Sequence, residues 1–307
     1  MEHIYDMLIL GGGPGGYTAA LYAARAGLDA AVLEKLAAGG QMALSHQIDN
    51  YPGFDEGIDG FSLAEKMQRG AERFGAKTLY TEVTGLDLTA APKLVRTAGG
   101  TLAARTVVVA TGAFPRTLGL AGEQTLTGRG VSYCAACDGM FYRDKTVVVV
   151  GGGDTAAADA LLLARVAKQV HLVHRRDTLR ATKIYHQPLF SAPNVTLHWN
   201  SAVTALHGED RVTGVELTDL PTGRTAPLAC DGVFVSVGRL PATDLVRGQL
   251  ALDAAGYIAA DETTRTSLPG VYAVGDVRTK ALRQVVTAAA DGANAVHAAE
   301  AFLAENP

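Results

Sequence analysis

Residues 7–16 read MLILGGGPGG, and residues 146–156 read TVVVVGGGDTA. In both stretches an apolar run without alternation meets a glycine turn, and an alanine-rich segment follows. Such runs predict strands that are buried on both faces, as in parallel sheets covered by helices. A second apolar run closes each unit, at 30–33 and at 170–173. Two copies of a strand–helix–strand unit predict an α/β fold with two doubly wound nucleotide-binding domains.

The glycine turns fit G-x-G-x-x-G and its variant with alanine third, at Gly11, Gly13 and Gly16 and at Gly151, Gly153 and Ala156. The first glycine permits a tight turn, the second lets the backbone approach a pyrophosphate, and the third lets the helix pack on the strand. The helix N-terminus then favours the phosphates. Each copy therefore predicts a Rossmann-like dinucleotide site.

The residues that end the second strand of each unit distinguish the two sites. In the first unit Glu34 can accept hydrogen bonds from ribose hydroxyls and would repel a 2′-phosphate. In the second unit His174 precedes Arg175 and Arg176, with Arg180 nearby, and guanidinium groups match phosphate oxygens. FAD at the first site and NADPH at the second fit this pair, because a flavin accepts a hydride and passes electrons to thiols. A solvated basic strand end is the alternative for the arginines.

The cysteine pair is C-x-x-C at Cys134 and Cys137, followed directly by Asp138. A structural zinc site needs about four ligands, and Cys230 alone cannot complete one, so we predict no metal site. The spacing permits a disulfide that is readily cycled. Asp138 is a candidate general acid or base for protonating the leaving thiolate, or it caps the turn before Gly139. Cys230, beside an apolar run, is predicted to be a small core residue.

Composition excludes several classes of protein. The chain has 307 residues, enough for about two domains, and its net charge of −4 gives no sign of a nucleic-acid partner. Its N-terminal apolar run leads straight into glycines, which indicates a first strand rather than a signal peptide. No apolar stretch is long enough to span a membrane. Three cysteines argue against a disulfide scaffold, so we expect a cytoplasmic protein.

The last part of the chain leaves the architecture open. Further apolar runs at 106–110, 232–237 and 271–274 predict strands, and the alanine-rich stretch 287–302 predicts a closing helix. This last unit follows the second nucleotide-binding domain. It either forms an element of its own or returns to complete the first domain, and the pattern does not separate the two.

Taken together, these motifs resemble the low-molecular-weight thioredoxin reductases over essentially the whole chain. The resemblance is carried, in order, by GGGPGG (11–16), GGQ (39–41), NYPG (50–53), ATGA (110–113), CAACDG (134–139), GGGDTA (151–156), HRR (174–176), RA (180–181), GDV (275–277) and RQ (283–284). It implies a discontinuous FAD domain, 1–113 and 240–307, with an inserted NADPH domain, 114–239, that carries the cysteines. It also implies a homodimer that passes electrons from NADPH through FAD and the Cys134–Cys137 disulfide to oxidised thioredoxin.

The resemblance and the glycine patterns together give the expected site residues. The FAD contacts are Gly11, Gly13, Pro14, Gly16, Glu34, Gly40, Gln41, Asn50, Val83, Thr111, Gly112, Gly275, Asp276, Arg283 and Gln284. The NADPH contacts are Gly151, Gly153, Asp154, Thr155, Ala156, His174, Arg175, Arg176 and Arg180. By the same resemblance Cys137 is the sulfur nearer the flavin and Cys134 attacks the partner disulfide. Asp159 departs from the family, which often has glutamate there.

Three other functions are consistent with parts of the pattern. A related flavin-dependent reductase could serve another carrier protein or a small disulfide, because the partner is recognised by surface patches that the sequence does not reveal. A ferredoxin–NADP reductase of the same fold would lack the cysteine pair. A redox sensor without turnover could bind both nucleotides and switch by forming the disulfide.

Overall fold

A computed structural model describes residues 3–45 and 47–306. The chain forms two compact units, Met1–Phe114 with Leu240–Pro307, and Pro115–Arg239. Where the chain passes from one unit to the other, each unit has a backbone hydrogen bond that joins its own two chain ends. In the first unit the Ala242 N–H donates to the Gly112 carbonyl, and in the second the Arg116 N–H donates to the Gly238 carbonyl, at 3.0 Å in both cases.

Strands and helices alternate at the start of each unit, and runs of consecutive strands follow. Before the insertion they are β1 (Ile4–Leu10), α1 (Pro14–Arg25), β2 (Ala30–Glu34), α2 (Gly60–Glu72), β3 (Lys77–Tyr80), β4 (Val83–Asp87), β5 (Lys93–Thr97), β6 (Gly100–Val109) and β7 (Ala113–Pro115). Next come β8 (Val131–Ser132), α3 (Ala135–Asp138), β9 (Thr146–Val150), α4 (Asp154–Ala164), β10 (Gln169–Val173), α5 (His186–Ser191) and β11 (Val195–His198). The inserted segment ends with β12 (Ser201–His207), β13 (Gly214–Asp219), β14 (Thr225–Ala229), β15 (Gly232–Val235) and β16 (Arg239–Pro241). After it come β17 (Val271–Ala273) and α6 (Val285–Glu305).

The sheet of the first unit is built around β6. Strands β3, β2, β1 and β6 lie side by side and parallel. The other edge of β6 is shared, because its first half pairs antiparallel with β5 and its second half pairs parallel with β17. Helix α6 packs closely on α1, since a Cβ on Gly292 would collide with the Gly15 carbonyl. The chain therefore returns after the insertion and adds a strand and a helix to the first unit.

The second unit has a parallel sheet and a separate antiparallel one. The parallel strand order is β11-β10-β9-β15-β8, and β12, β13 and β14 form the antiparallel sheet. The valines of β9 are buried, and burying each such side chain stabilises the fold by about 1.5–3 kcal/mol. This mixed α/β architecture confirms the predicted fold class.

Several predicted boundaries differ from the observed ones. Strand β6 begins at Gly100 rather than at 106, because its first half is held by β5. Helix α4 ends at Ala164, and beyond it the Val166 and Ala167 N–H groups both donate to the Leu163 carbonyl. Helix α6 extends beyond 287–302 at both ends. In the described part of the chain, no helix has both the length and the apolar character needed to cross a membrane.

Candidate functional site

The cysteine pair lies at the start of a one-turn helix in the second unit. Cys134 and Cys137 form a disulfide, with their Cα atoms 5.3 Å apart. Cys134 is the N-cap of α3, and its carbonyl accepts the N–H groups of Cys137 (3.2 Å) and Asp138 (3.0 Å). The helical turn therefore brings together two sulfurs that are three positions apart in sequence.

The Asp138 carboxylate is held beside this disulfide by a serine. The Ser132 hydroxyl donates to Asp138 Oδ2 at 2.6 Å, and the Cys134 N–H donates to the same Ser132 Oγ at 3.1 Å. Ser132 ends β8 and is buried. Ser132 was not among the predicted site residues, and nothing in the sequence around it indicated the contact with Asp138.

A buried carboxylate also fixes the residue before Cys134. Glu123 accepts the N–H groups of Leu118 and Gly119 and the hydroxyl of Tyr133, each at 2.8 Å. Burial and the hydrogen bond to Glu123 raise the pKa of Tyr133 above its ordinary value, so the phenol stays a hydrogen-bond donor. Nothing in the sequence around Glu123 indicated this contact.

The second glycine turn leads directly into α4. Gly151 has φ +152°, and a Cβ on it would collide with the Ser236 carbonyl. Gly153 is the N-cap of α4, and within the described residues no side chain caps this helix. Asp154 accepts hydrogen bonds from the Thr182 N–H (2.6 Å) and hydroxyl (3.2 Å). In the first helical turn, Thr155 is exposed and Ala156 is buried.

The basic cluster lies against the second glycine turn. The Arg180 N–H donates to the Gly152 carbonyl at 2.7 Å, and Arg175, Arg176 and Arg180 are all exposed. The His174 ring is buried against Gly152, since a Cβ on Gly152 would overlap it. Burial lowers the pKa of His174, and the three arginine charges lower it further.

This arrangement fits a phosphorylated dinucleotide. The uncapped N-terminus of α4 offers backbone N–H groups to phosphates, and the exposed guanidinium groups can pair with further phosphate oxygens. In addition, the buried His174 Nε2 has no hydrogen-bond partner among the described residues. A buried polar atom of this kind normally has a partner, and a bound ligand can supply it.

The first glycine turn has an open second glycine. Gly11 has φ +108° and lies against the Ala110 carbonyl, and Gly16 lies against the Gly11 carbonyl. A Cβ on Gly13 would meet nothing within 4 Å. Gly13 is the N-cap of α1, with Pro14 in the first turn. The backbone at Gly13 is thus open to close approach by a pyrophosphate, which is what a bound dinucleotide needs.

Glu34 supports this turn from the end of β2. Its Oε2 accepts the Gly12 N–H at 2.8 Å, and its Oε1 accepts the Leu36 N–H at 3.2 Å. A carboxylate has about four acceptor positions, so these two bonds leave capacity for ribose hydroxyls.

Residues far apart in sequence meet around the first turn. The Gly39 N–H donates to the Gly12 carbonyl at 2.7 Å, and a Cβ on Gly40 would lie 3.9 Å from the Gly13 Cα. Gln41 follows Gly40 in the 3₁₀ turn Gly40–Leu44. The Asn50 side chain donates to Gln284 Oε1 at 3.1 Å across 234 positions.

The other expected FAD residues lie on the segments around β6 and β17. The Thr111 hydroxyl donates to the Ala242 carbonyl at 2.7 Å, and Gly112 has φ +72°. Arg283 stacks on the Tyr257 ring, with Cζ 4.0 Å from its centroid, and its Nε donates to the Asp276 carbonyl at 3.4 Å. Val83 begins β4 and packs against the hydrophobic core on that side of the sheet.

A buried ionic cluster holds the turn that contains Gly275 and Asp276. The Asp291 carboxylate of α6 accepts the Gly275 N–H (2.9 Å), Arg278 Nε (3.0 Å) and Nη2 (2.8 Å), and Lys280 Nζ (2.7 Å). Burial alone would raise the pKa of Asp291, but the hydrogen bonds from Arg278 and Lys280 outweigh it and hold the pKa below its usual value. This cluster was not among the predicted contacts, although a lone aspartate in an alanine-rich helix indicates a buried partner.

Two further titratable groups of the second unit are at least partly buried. Burial raises the pKa of Cys230 to about 12, which confirms its expected role as a core residue. Burial also raises the pKa of Asp159, and the Ser236 hydroxyl donates to this carboxylate at 2.5 Å. Among residues 3–45 and 47–306, no group of three or more His, Cys, Asp or Glu is placed to hold a metal ion.

Comparison with known proteins gives a consistent result. Residues 5–292 match the family described as pyridine nucleotide-disulphide oxidoreductase. A thioredoxin reductase of Streptomyces clavuligerus is 47% identical over 99% of this chain and 95% of its own length. One of Treponema pallidum is 45% identical over 99% and 98%. The crystal structure of thioredoxin reductase from Streptococcus pyogenes superimposes with a TM-score of 0.92 at 44% identity, covering 99% of this chain and 100% of that one.

Proposed function

This chain belongs to the pyridine nucleotide-disulphide oxidoreductase family, among its thioredoxin reductases, and on that premise we propose that it is an NADPH-dependent disulfide reductase acting on oxidised thioredoxin. The observation that carries the proposal is the Cys134–Cys137 disulfide beside Asp138, in the unit that also carries the exposed arginine cluster. A reducible disulfide and a site for a phosphorylated nicotinamide cofactor are the parts that this reaction requires.

The cofactors of the family are FAD and NADPH. We assign FAD to the first unit, 1–113 with 240–307, and NADPH to the second, 114–239. The open backbone at Gly13 and the Glu34 carboxylate support the first assignment. The three exposed arginines support the second, as does the buried Nε2 of His174, which has no partner in the described part of the chain.

In the first unit the expected FAD contacts divide by chemistry. Gly11, Gly13, Pro14 and Gly16 offer backbone to the pyrophosphate, and Glu34 accepts from the ribose. The Gly40–Gln41 segment, the Asn50–Gln284 pair, Thr111–Gly112, Gly275–Asp276 and Arg283 hold the rest of the cofactor in this proposal. FAD supplies the chemistry that converts a hydride from NADPH into an electron pair for a disulfide.

The chemistry of the protein's own residues is thiol–disulfide exchange. Once Cys134–Cys137 is reduced, the Cys134 thiolate attacks one sulfur of the partner disulfide, and the other partner sulfur leaves as a thiolate. Cys137 then attacks Cys134 in the mixed disulfide, which re-forms the Cys134–Cys137 bond and releases the second partner sulfur. Asp138, next to Cys137, holds or supplies the proton that a sulfur anion needs as the bonds exchange.

The partner and the setting follow from the same proposal. The relatives are named for reduction of thioredoxin, and we propose a protein of that kind as the substrate. We also propose a homodimer, as the family resemblance implies, and a cytoplasmic location, where thiol pairs are kept reducible.

The test is NADPH oxidation at 340 nm with oxidised thioredoxin, compared with small disulfides. We expect turnover with thioredoxin, and an anaerobic NADPH titration that bleaches the visible flavin band until thioredoxin restores it. A Cys137→Ser variant should keep the bleaching by NADPH and lose reduction of thioredoxin. Turnover with small disulfides but none with any thioredoxin would refute the proposed substrate, and a protein that retains no flavin after reconstitution would refute the electron route.

A further inference from the structure

The hydroxyl of Ser132 contacts both Cys134 and Asp138, which begin and end the segment that contains the disulfide. Ser132 is 4% exposed, and its Oγ lies 2.6 Å from Asp138 Oδ2, 3.1 Å from the Cys134 nitrogen and 3.4 Å from the Cys134 carbonyl oxygen. A hydroxyl has one proton and two acceptor positions. Oγ can therefore accept the Cys134 N–H at all times, but it donates to only one of the two oxygens at once.

We propose that Ser132 is the positioning residue for proton transfer at Asp138, through rotation of this hydroxyl. While Asp138 is ionised, the hydroxyl donates to its carboxylate. When Asp138 carries a proton, the acid donates to Ser132 Oγ, and the Ser132 proton turns to the Cys134 carbonyl. The Ser132 hydroxyl, the Asp138 carboxyl and the Cys134 backbone groups each keep a hydrogen-bond partner in both states. This matters because a buried polar group without a partner costs free energy.

The inference rests on the proposed function and specifies how its proton is handled. Reduction of the disulfide by one hydride equivalent from NADPH breaks the S–S bond and leaves one thiol and one thiolate. The thiolate takes the second proton from protonated Asp138, which becomes a carboxylate. The hydroxyl of Ser132 then turns back to that carboxylate, so the new charge is stabilised as it forms.

The two positions of the hydroxyl are unequal. The bond to the carboxylate is shorter, and hydrogen bonds to charged groups are about twice as strong as neutral ones. The Cys134 carbonyl, in contrast, already accepts the N–H groups of Cys137 and Asp138. Ser132 therefore favours ionised Asp138, and removing its hydroxyl should favour the protonated acid.

Other titratable groups on the elements packed against α3 are already engaged. The 3₁₀ turn that follows carries Tyr142, whose pKa burial and the charge of Asp138 raise to about 12, so it stays neutral. Helix α4 carries Asp154, which is bonded to Thr182, and Asp159, which is bonded to Ser236. Of the groups on these elements, Asp138 is therefore the proton donor that we assign to the cysteines.

The test is the rate at which the reduced protein reacts with iodoacetamide between pH 5 and 9, which needs neither NADPH nor thioredoxin. Besides the rise that thiol ionisation causes, we expect a separate step in the wild-type profile that Asp138→Asn abolishes. Ser132→Ala should move this step to higher pH by about one unit, the value of one hydrogen bond to a charged group. Ser132→Thr keeps a hydroxyl and should restore the wild-type position.

The matched control is Ser201→Ala, the same change in the same unit, where the hydroxyl donates to the Trp199 carbonyl instead of a carboxylate. It should leave the profile unchanged. Ser132→Gly removes the same hydroxyl and replaces Ser132→Ala if that variant does not fold. A Ser132→Ala or Ser132→Gly profile that superimposes on wild type overturns the inference, as does an Asp138→Asn profile that keeps the step. Failure of thioredoxin turnover would instead count against the proposed function and leave this result standing.

Discussion

Replacing Asp291 by alanine removes the carboxylate that pairs two buried cations. Arg278 is 2% exposed and Lys280 is also buried, and Asp291 accepts three hydrogen bonds from them and a fourth from the Gly275 N–H. A second carboxylate, that of Glu262, lies 3.7 Å from Arg278 and is 92% exposed. Removing one partner of a buried pair costs about 3–5 kcal/mol, and we expect Asp291→Ala to lower the free energy of unfolding of the first unit by that amount.

The control is Asp244→Ala, which breaks an ion pair between exposed side chains of the same unit, Asp244 and Arg247. A surface pair of this kind contributes at most about 1 kcal/mol. Thermal unfolding followed by far-UV circular dichroism reports both units. The fluorescence of Trp199, the only tryptophan of the chain, reports the second unit alone.

For Asp291→Ala we expect the midpoint temperature of the circular dichroism transition of the first unit to fall by roughly 6–20 °C, while the midpoint temperature reported by Trp199 fluorescence changes little. Because the pKa of Asp291 is lowered in the folded chain, its contribution is complete above about pH 4 and is lost only as the pH falls through the lower folded value. The difference between variant and wild type should therefore be the same at pH 6 and pH 8. A shift no larger than that of Asp244→Ala would refute the reasoning.

Three further predictions concern the nucleotide sites and the second unit. Gly13→Ala should change the free energy of unfolding by no more than about 1 kcal/mol, because its Cβ meets no atom, but should weaken FAD binding about 10- to 100-fold by filling the space of the pyrophosphate. Gly16→Ala, whose Cβ would strike the Gly11 carbonyl, should unfold the unit instead. Equal FAD affinity for wild type and Gly13→Ala would contradict this reasoning. Changing Arg175, Arg176 and Arg180 to alanine should raise the KM for NADPH about 10-fold or more and change the KM for NADH little. An equal rise for both cofactors would show that the cluster does not bind the 2′-phosphate. Burial lowers the pKa values of His171 and His198, which share a 3.0 Å hydrogen bond. The free energy of unfolding of the second unit should therefore fall by more than about 1 kcal/mol between pH 7.5 and pH 5.5, and the double His→Asn variant should show a smaller fall. Urea unfolding monitored by Trp199 fluorescence measures both.

Features that depend only on neighbouring residues could be predicted from the sequence. Each glycine turn is flanked by its own strand and helix, so the residues from 7 to 34 and from 146 to 176 indicate the fold class without any distant contact. The C-x-x-C spacing also sufficed, because one turn of α3 brings both sulfurs together. The basic cluster at 174–176 could also be placed from the sequence, because it follows its strand directly. These local patterns are set by backbone geometry and by burial on both strand faces.

The tertiary structure decided which distant segments meet. Asn50 contacts Gln284, and Asp291 reaches Gly275 and Arg278, because β17 pairs with β6 and α6 packs on α1. Periodicity cannot supply this strand order, since an apolar run fits next to any other buried strand. Partners such as Ser132 for Asp138 and Glu123 for Tyr133 depend on side-chain directions within a folded loop, and no short-range pattern encodes them. The sequence thus indicated which chemical groups are present, and the packing within each unit determined how each group is held.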